Sequence, residues 1–208
     1  MSSRNDQQLD TQSPTIETRV LDAARACLLR SGGRRVTLAE VAREAGVSRP
    51  TLYRRWPQLE SIIGDVLTRD LLRLIAEVPP AGNDLDSQVT RIVAVAEAIR
   101  DDELLSELIK NQPDVLAPYI FARFGSSQRG ALQVIEAGIA AGQRAGEMRP
   151  GDPAVLAAMV LTLTQAAIQS YAQLAPILGV SWSAELRAVL LGYLAPTARP
   201  AALEPAPE

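Results

Sequence analysis

In the eight residues Ser48 to Arg55, S-R-P-T-L-Y-R-R, three arginines, three hydroxyls and a proline surround a single leucine. A guanidinium group forks its donors onto two acceptors at once, so it suits a phosphate or the O6/N7 edge of guanine. Serine, threonine and tyrosine hydroxyls bond phosphate oxygens. This is binding chemistry. Residues for covalent chemistry are scarce elsewhere: the chain has no histidine and one cysteine, Cys27, which falls on the apolar face of a predicted helix. Without imidazole the commonest general base and metal ligand are missing, and no nucleophilic triad or zinc site is legible. Asp101, Asp102 and Glu103 stand at a helix start, where carboxylates complement the dipole. We therefore expect no enzyme, no cofactor and no metal.

The elements that must present Ser48–Arg55 are readable on either side of it. Ile16, Val20, Ala24, Cys27 and Leu28 share one face of a helix from about Thr15 to Arg30, closed by Ser31-Gly32-Gly33. A second helix, about Leu38 to Ala45, opens on the capping box Thr37-x-x-Glu40 and buries Leu38, Val41, Ala42 and Ala45. Gly46 is placed for the left-handed turn. Ser48 is a good N-cap for a third helix, Pro50 lies in its first turn where a missing N–H costs little, and Pro57 ends it. Two short helices around a tight turn, covered by the first, form a three-helix unit. In a helix-turn-helix the second helix of the pair enters the major groove by its N-terminal residues while the first crosses the backbone. The outward face of the third helix offers Ser48, Arg49, Pro50, Thr51, Tyr53, Arg54 and Arg55; Thr37, Arg35 and Arg34 precede the second helix and are placed to track flanking phosphates.

Charge distribution agrees. The chain carries a formal charge of −3, yet Arg34–Arg55 holds six arginines against two glutamates, so a basic patch sits on an acidic body. Lys110 is the only lysine. A single cysteine precludes an intrachain disulfide and fits a reducing, cytoplasmic setting, and the polar N-terminus has no apolar signal-peptide region.

Thr37, Val41-Ala42, Ala45-Gly46-Val47-Ser48, Thr51-Leu52-Tyr53 and Trp56-Pro57 resemble the TetR family, whose signature runs T-x-x-x-[IV]-A-x-x-A-G-V-S, then T-[LIV]-Y and an aromatic. The resemblance covers about residues 15–77. It implies a three-helix DNA-binding domain joined by a fourth helix to a helical ligand and dimer domain, with Thr37, Tyr53 and the start of the third helix as DNA contacts. Two positions depart from the pattern: Leu59 stands where many members have a lysine that supports the DNA backbone, and Pro50 where glycine or a small residue is frequent, which shifts readout towards Arg49, Thr51 and Arg54. Trp56 is expected in the core.

The whole chain reads as all-α, with about nine helices. Residues 1–14 and the Pro/Ala-rich 196–208 read as disordered tails, 15–58 as the helix-turn-helix domain and 59–195 as a helical ligand-binding and dimerisation domain. Further helices are expected near Leu59–Glu77, Leu85–Arg100, Glu103–Lys110, Tyr119–Ala145 as one helix or a pair broken at Gly125, Ala154–Leu174 and Ser183–Leu194. From Pro153 to Ala184 no residue is charged. A membrane span is disfavoured because Pro176 and Gly179 interrupt the run and Gln165, Gln169 and Gln173 form a polar stripe. A helix shared between two subunits explains it better, with Ala157, Ala158, Ala166 and Ala167 permitting close approach and Leu186, Val189, Leu190 and Tyr193 completing a four-helix dimer core. A cavity for a small hydrophobic effector is expected among Leu71, Ile75, Ile92, Leu105, Ile109, Phe121, Phe124, Met159, Thr162, Gln165 and Gln169. The functional expectation is a ligand-responsive regulator, a repressor, that binds a palindromic double-stranded operator as a homodimer. The rival is a helical protein-interaction adaptor with lost or weak DNA binding, which the acidic body and Leu59 leave open.

Overall fold

In a computed structural model the described residues are 14–31, 35–80, 82–111, 114, 117 and 125–196. Both expected tails, but for their inner residues Pro14 and Pro196, lie outside them, as do Arg34, Phe121 and Phe124. Secondary structure among the described residues is helical, in two compact units that divide between Val66 and Leu67.

The first unit begins with α1, Ile16–Arg30, capped by the Thr15 hydroxyl, which accepts the Thr18 N–H at 3.1 Å. Val20, Leu21, Ala24 and Leu28 bury its inner face, whereas Ile16, in the first turn, is 53% exposed and lies outside the stripe expected for it. Next come α2, Leu38–Glu44, and α3, Arg49–Arg55, with α1 packed on α2 and α2 on α3. Then α4, Leu59–Glu77, begins in the first unit, where Ile62, Ile63 and Val66 are buried, and continues into the second. The division therefore falls inside α4, about two turns beyond the 58/59 boundary read from sequence, because those three residues belong to the first unit's core.

The second unit contains the rest of α4, then α5 (Leu85–Asp101), α6 (Glu103–Asn111), α7 (Ser126–Arg144), α8 (Pro153–Leu178), a single 3₁₀ turn at Gly179–Ser181 and α9 (Trp182–Leu194). Each start has a visible cause. Asp84 caps α5 by accepting the Ser87 N–H (2.8 Å); Asp102 caps α6 by accepting those of Leu104 and Leu105 (3.0 and 3.1 Å); Asp152 caps α8 by accepting that of Ala154 (2.9 Å). Gly125 is the N-cap of α7, its N–H donated to the Gln128 side chain at 2.8 Å, so a helix begins where the break was expected; residues 119–124 of that expected stretch lie outside the described residues. The turn after α7 closes as a Schellman motif on Gly146 (φ +75°), with Gly146 N–H bonded to the Gln143 carbonyl and Glu147 N–H to that of Gly142. The eighth helix runs a turn beyond the expected Leu174, through Pro176; in the last turn the proline forfeits one backbone bond, a small loss beside the packing of a 26-residue helix.

In this unit α7 packs on α8, and α9 on α5 and α8. Val89, Ala96, Ala157, Val160, Leu190 and Leu194 are fully buried at its centre. Trp182 is buried and donates its indole N–H to the Ala167 carbonyl at 3.2 Å, with Tyr171 edge-on to it at 5.7 Å. The Arg100 guanidinium lies over both rings, 4.7 and 4.8 Å from their centroids, and is held by Asp101. Ser183 donates to Glu97, and Arg187 pairs with Asp86, tying α9 to α5.

Two expectations about the dimer core change here. Ala157, Leu186 and Leu190 are consumed by the chain's own core. The apolar face left outward is rotated from them: Val155, Met159, Leu174 and Ile177 on α8, Val180 after it and Val189 on α9, from 42% to fully exposed. By length and composition the stretch Pro153–Leu194 is apolar enough to cross a membrane.

Candidate functional site

The residues that could touch DNA are set by three local devices. The first is the capping box of α2: the Thr37 N–H donates to a Glu40 carboxylate oxygen at 2.8 Å, the Thr37 hydroxyl donates to the same oxygen at 2.9 Å, and the Glu40 N–H returns to the Thr37 hydroxyl oxygen at 3.3 Å. The second is the turn. Gly46 takes φ +63°, its N–H bonds the Arg43 carbonyl and the Val47 N–H bonds that of Ala42, a Schellman closure that satisfies two carbonyls at the end of α2. An alanine at Gly46 would meet no atom but would have to adopt a backbone conformation that L side chains disfavour. The third is the start of α3, where the Ser48 hydroxyl oxygen accepts the Thr51 N–H at 3.3 Å and Pro50 occupies the first turn.

These devices orient α3 with Leu52 inward, 1% exposed, beside buried Val41, Ala42 and Trp56. Ser48, Arg49, Pro50, Tyr53, Arg54 and Arg55 face solvent, and Thr51 is half-buried. Arg49 and Arg54 have no ion-pair partner among the described residues, so their charge is open to an external anion. The Ser48 and Thr51 hydroxyls lie 2.8 Å apart and share one hydrogen bond; whichever donates, the other O–H is left for an outside acceptor. Arg35 and Thr37, before α2, are also exposed. Arg55 has a task within the fold: it pairs with Glu17 of α1 at 2.7 Å and lies over Trp56, 5.0 Å from the ring centroid. Arg43, on the outer face of α2, is exposed and was not among the residues expected to touch DNA.

Behind α3, Trp56 is buried as expected and donates its indole N–H to Asp65 of α4 at 2.8 Å. The end of α3 is thus bonded to α4. Cys27 lies half-buried on α1, and burial pushes its thiol up from its usual pKa, which disfavours the thiolate.

A cavity of about 190 Å³ lies within the second unit. Of the lining residues expected from sequence, the wall includes Leu71, Ile75, Ile92, Leu105, Gln165 and Gln169. Ile109 instead packs against the unit's core, and Met159 and Thr162 are on the exposed side of α8. The reason is helical phase: the wall takes Leu161, Thr164, Gln165, Ile168 and Gln169, and at 100° per residue a slip of one position turns a side chain out of it. Sequence reading also passed over Gln88, Arg91, Val95 and Ile99, which line the wall with Ile92. Their spacing from Ile92 puts them on one face of α5, so the signal was present; the polar identity of Gln88 and Arg91 hid it.

Residues 20–65 match the family model described as bacterial regulatory proteins, tetR family. An uncharacterized HTH-type transcriptional regulator of Mycobacterium tuberculosis is 42% identical over 177 residues, covering 85% of this chain and 93% of that protein. Among solved structures, the Rhodococcus erythropolis transcriptional repressor QsdR of the TetR family superposes with TM-score 0.64 at 21% identity, covering 89% of this chain and 99% of that one. SmeT in complex with triclosan gives 0.60 at 17% identity, covering 93% and 99%. The capped turn, the outward arginines and hydroxyls of α3 and a relative aligned over nearly its whole length lead to one conclusion: this chain belongs to the TetR family of bacterial transcriptional regulators, binds DNA through a helix-turn-helix and is not an enzyme.

Proposed function

We propose that the protein is a repressor in the cytoplasm that reads a palindromic operator as a homodimer and leaves it when a small hydrophobic effector occupies the cavity of the second unit. Ser48, Arg49, Pro50, Thr51, Tyr53 and Arg54 enter the major groove, Arg49 and Arg54 reading base edges or clamping phosphate. Arg35 and Thr37 follow the flanking backbone. Arg55 contributes to the local field while its guanidinium holds α3 to α1.

The observation that carries this reading is the sharing of α4. Ile62, Ile63 and Val66 are core residues of the DNA-binding unit, and Asp65 is bonded to Trp56 at the end of α3. Leu67, Leu71 and Ile75 of the same helix are cavity wall. A ligand that prefers one position of α4 thereby prefers one position of the recognition helix, and its leverage equals its differential affinity for the two states. The exposed apolar face of α8 and α9 supports dimerisation: six large apolar side chains in water are an interface without its partner, and in a family of DNA-binding regulators a second copy covers them better than lipid does. Two recognition helices about 34–36 Å apart then meet successive major grooves. That QsdR is a repressor and that SmeT was solved with triclosan bound agree with repression and with a hydrophobic effector.

The test combines light scattering of the purified protein with gel shift on a palindromic fragment from upstream of its own gene. We expect a dimer, a salt-dependent shift, and release by hydrophobic small molecules. A monomer that still shifts the palindrome at full affinity rules out the dimeric reading.

A further inference from the structure

The cavity wall is apolar on most of its surface, with one charged side chain among the described residues, Arg91 of α5. Its Nε donates to the Val78 carbonyl at 3.4 Å, a long bond, and no carboxylate among the described residues pairs with it. The two terminal amino groups of the guanidinium have no hydrogen-bond partner there either. A half-buried cation against an apolar wall is costly unless an anion meets it. Two further donors on the same wall are unused: the side-chain amides of Gln165 and Gln169, one turn apart on α8, make no hydrogen bond among the described residues. Thr164 differs, since its hydroxyl donates to the Val160 carbonyl at 2.8 Å.

Resting on the reading of this cavity as the effector site, we propose that the effector is a small amphiphile with one negative charge, its carboxylate held by Arg91 and its apolar body by Leu71, Ile92, Ile135 and Leu161. One cation neutralises one charge; a dianion would keep an unpaired charge against the apolar wall. The size is bounded as well: 190 Å³ is little more than the ~150 Å³ that holds a benzene ring, so one ring or a short chain fits. Gln165 and Gln169 supply neutral donors for the second carboxylate oxygen or another polar group. Because Arg91 is bonded to Val78, just beyond the end of α4, an anion that draws the guanidinium away loosens that contact.

Calorimetric titration of the full-length protein with octanoate, octan-1-ol and octylammonium, equal chains with three head groups, tests this. We expect octanoate to bind at least about tenfold more tightly than either of the others. Arg91→Met should bring octanoate down to the level of octanol and leave octanol unchanged, Arg91→Lys should keep part of the preference, and Ala131→Phe, which fills the cavity, should abolish binding of all three. If octanol or octylammonium matches octanoate on the unaltered protein, anion selectivity is overturned while the effector site stands, whatever the variants do. If none of the three binds, the cavity as a site for small amphiphiles is overturned too.

Discussion

Two exposed helices of this chain carry opposite instructions. The third, Arg49–Arg55, is seven residues long and shows water its arginines and hydroxyls; the eighth, Pro153–Leu178, is 26 residues long and shows water valine, methionine, leucine and isoleucine. Apart from Arg55, which pairs with Glu17, these faces make no ion pair within their own units among the described residues. A polar, cationic face that stays unpaired is matched to a polyanion, which brings its own hydration and releases counterions on contact. An apolar face left bare is matched to another apolar face, because removing both from water is favourable at roughly 25 cal/mol per Å². The contrast teaches that an outward residue is informative when it contradicts what its own fold requires.

The comparison can be broken most severely at the base of α3. Trp56→Ala should cost ~3–5 kcal/mol of stability, seen in urea unfolding, and DNA binding should go with it. Trp56→Phe keeps most of the packing and removes the indole donor from Asp65, whose exposed carboxylate turns to water, for a loss of ~0.5–1.5 kcal/mol. If Trp56→Ala leaves stability unchanged, α3 is not mounted as described.

On the other helix, Ile177→Glu alters a side chain that is 82% exposed in the single chain. Folding stability of the chain should change little, but two like charges at the interface of the proposed dimer should weaken it by roughly 2–5 kcal/mol, read by light scattering against concentration. A variant that stays dimeric at low micromolar concentration places the interface elsewhere. Operator affinity should fall with dimerisation, and by more than for any single change on α3.

Arg54→Ala sharpens the polar side of the comparison. It should weaken operator binding by ~1–3 kcal/mol in gel shift and flatten the salt dependence, with dimer and stability intact. Arg55→Ala should differ: because Arg55 pairs with Glu17 and lies on Trp56, its loss should cost ~0–1 kcal/mol of stability as a surface pair. Equal effects of the two variants on DNA affinity would show that the Glu17 pair does not hold Arg55 back.

Smaller effects test the frame. Thr37→Ala removes a capping box and should cost ~0.5–2 kcal/mol. Two carboxyls of the second unit contribute a pH response. Hydrogen bonds from Arg100 hold the Asp101 carboxyl below its usual range, and the Ser87 hydroxyl and backbone do the same for Asp84. A carboxyl whose folded pKa is depressed adds stability above the unfolded value of ~3.9 and loses it as pH falls below that. The melting-temperature gap between wild type and Asp101→Asn should therefore be level above pH ~5 and shrink below pH ~4. A gap that widens on acidification reverses the sign and rules out the depressed Asp101 carboxyl as its cause.

What the sequence determined by itself is local. Capping residues, Gly46, Pro50 and the spacing of Val41, Ala42 and Leu52 act over a few residues of chain, so the turn, the helix boundaries and the outward set on α3 could be read directly; α4 could be bounded from sequence to the residue. The family signature is legible for the same reason, since it is made of these local devices. Tertiary structure decided the rest, because it depends on which of several apolar faces a helix turns inward. Ile92, Leu161 and Met159 are all apolar, and only packing made two of them cavity wall and left the third exposed on α8. Leu186 and Leu190 went to the chain's own core rather than to a partner. That the half-buried Arg91 guanidinium on that wall meets no carboxylate among the described residues has no signature in one dimension: burial of charge arises from the convergence of helices far apart in sequence.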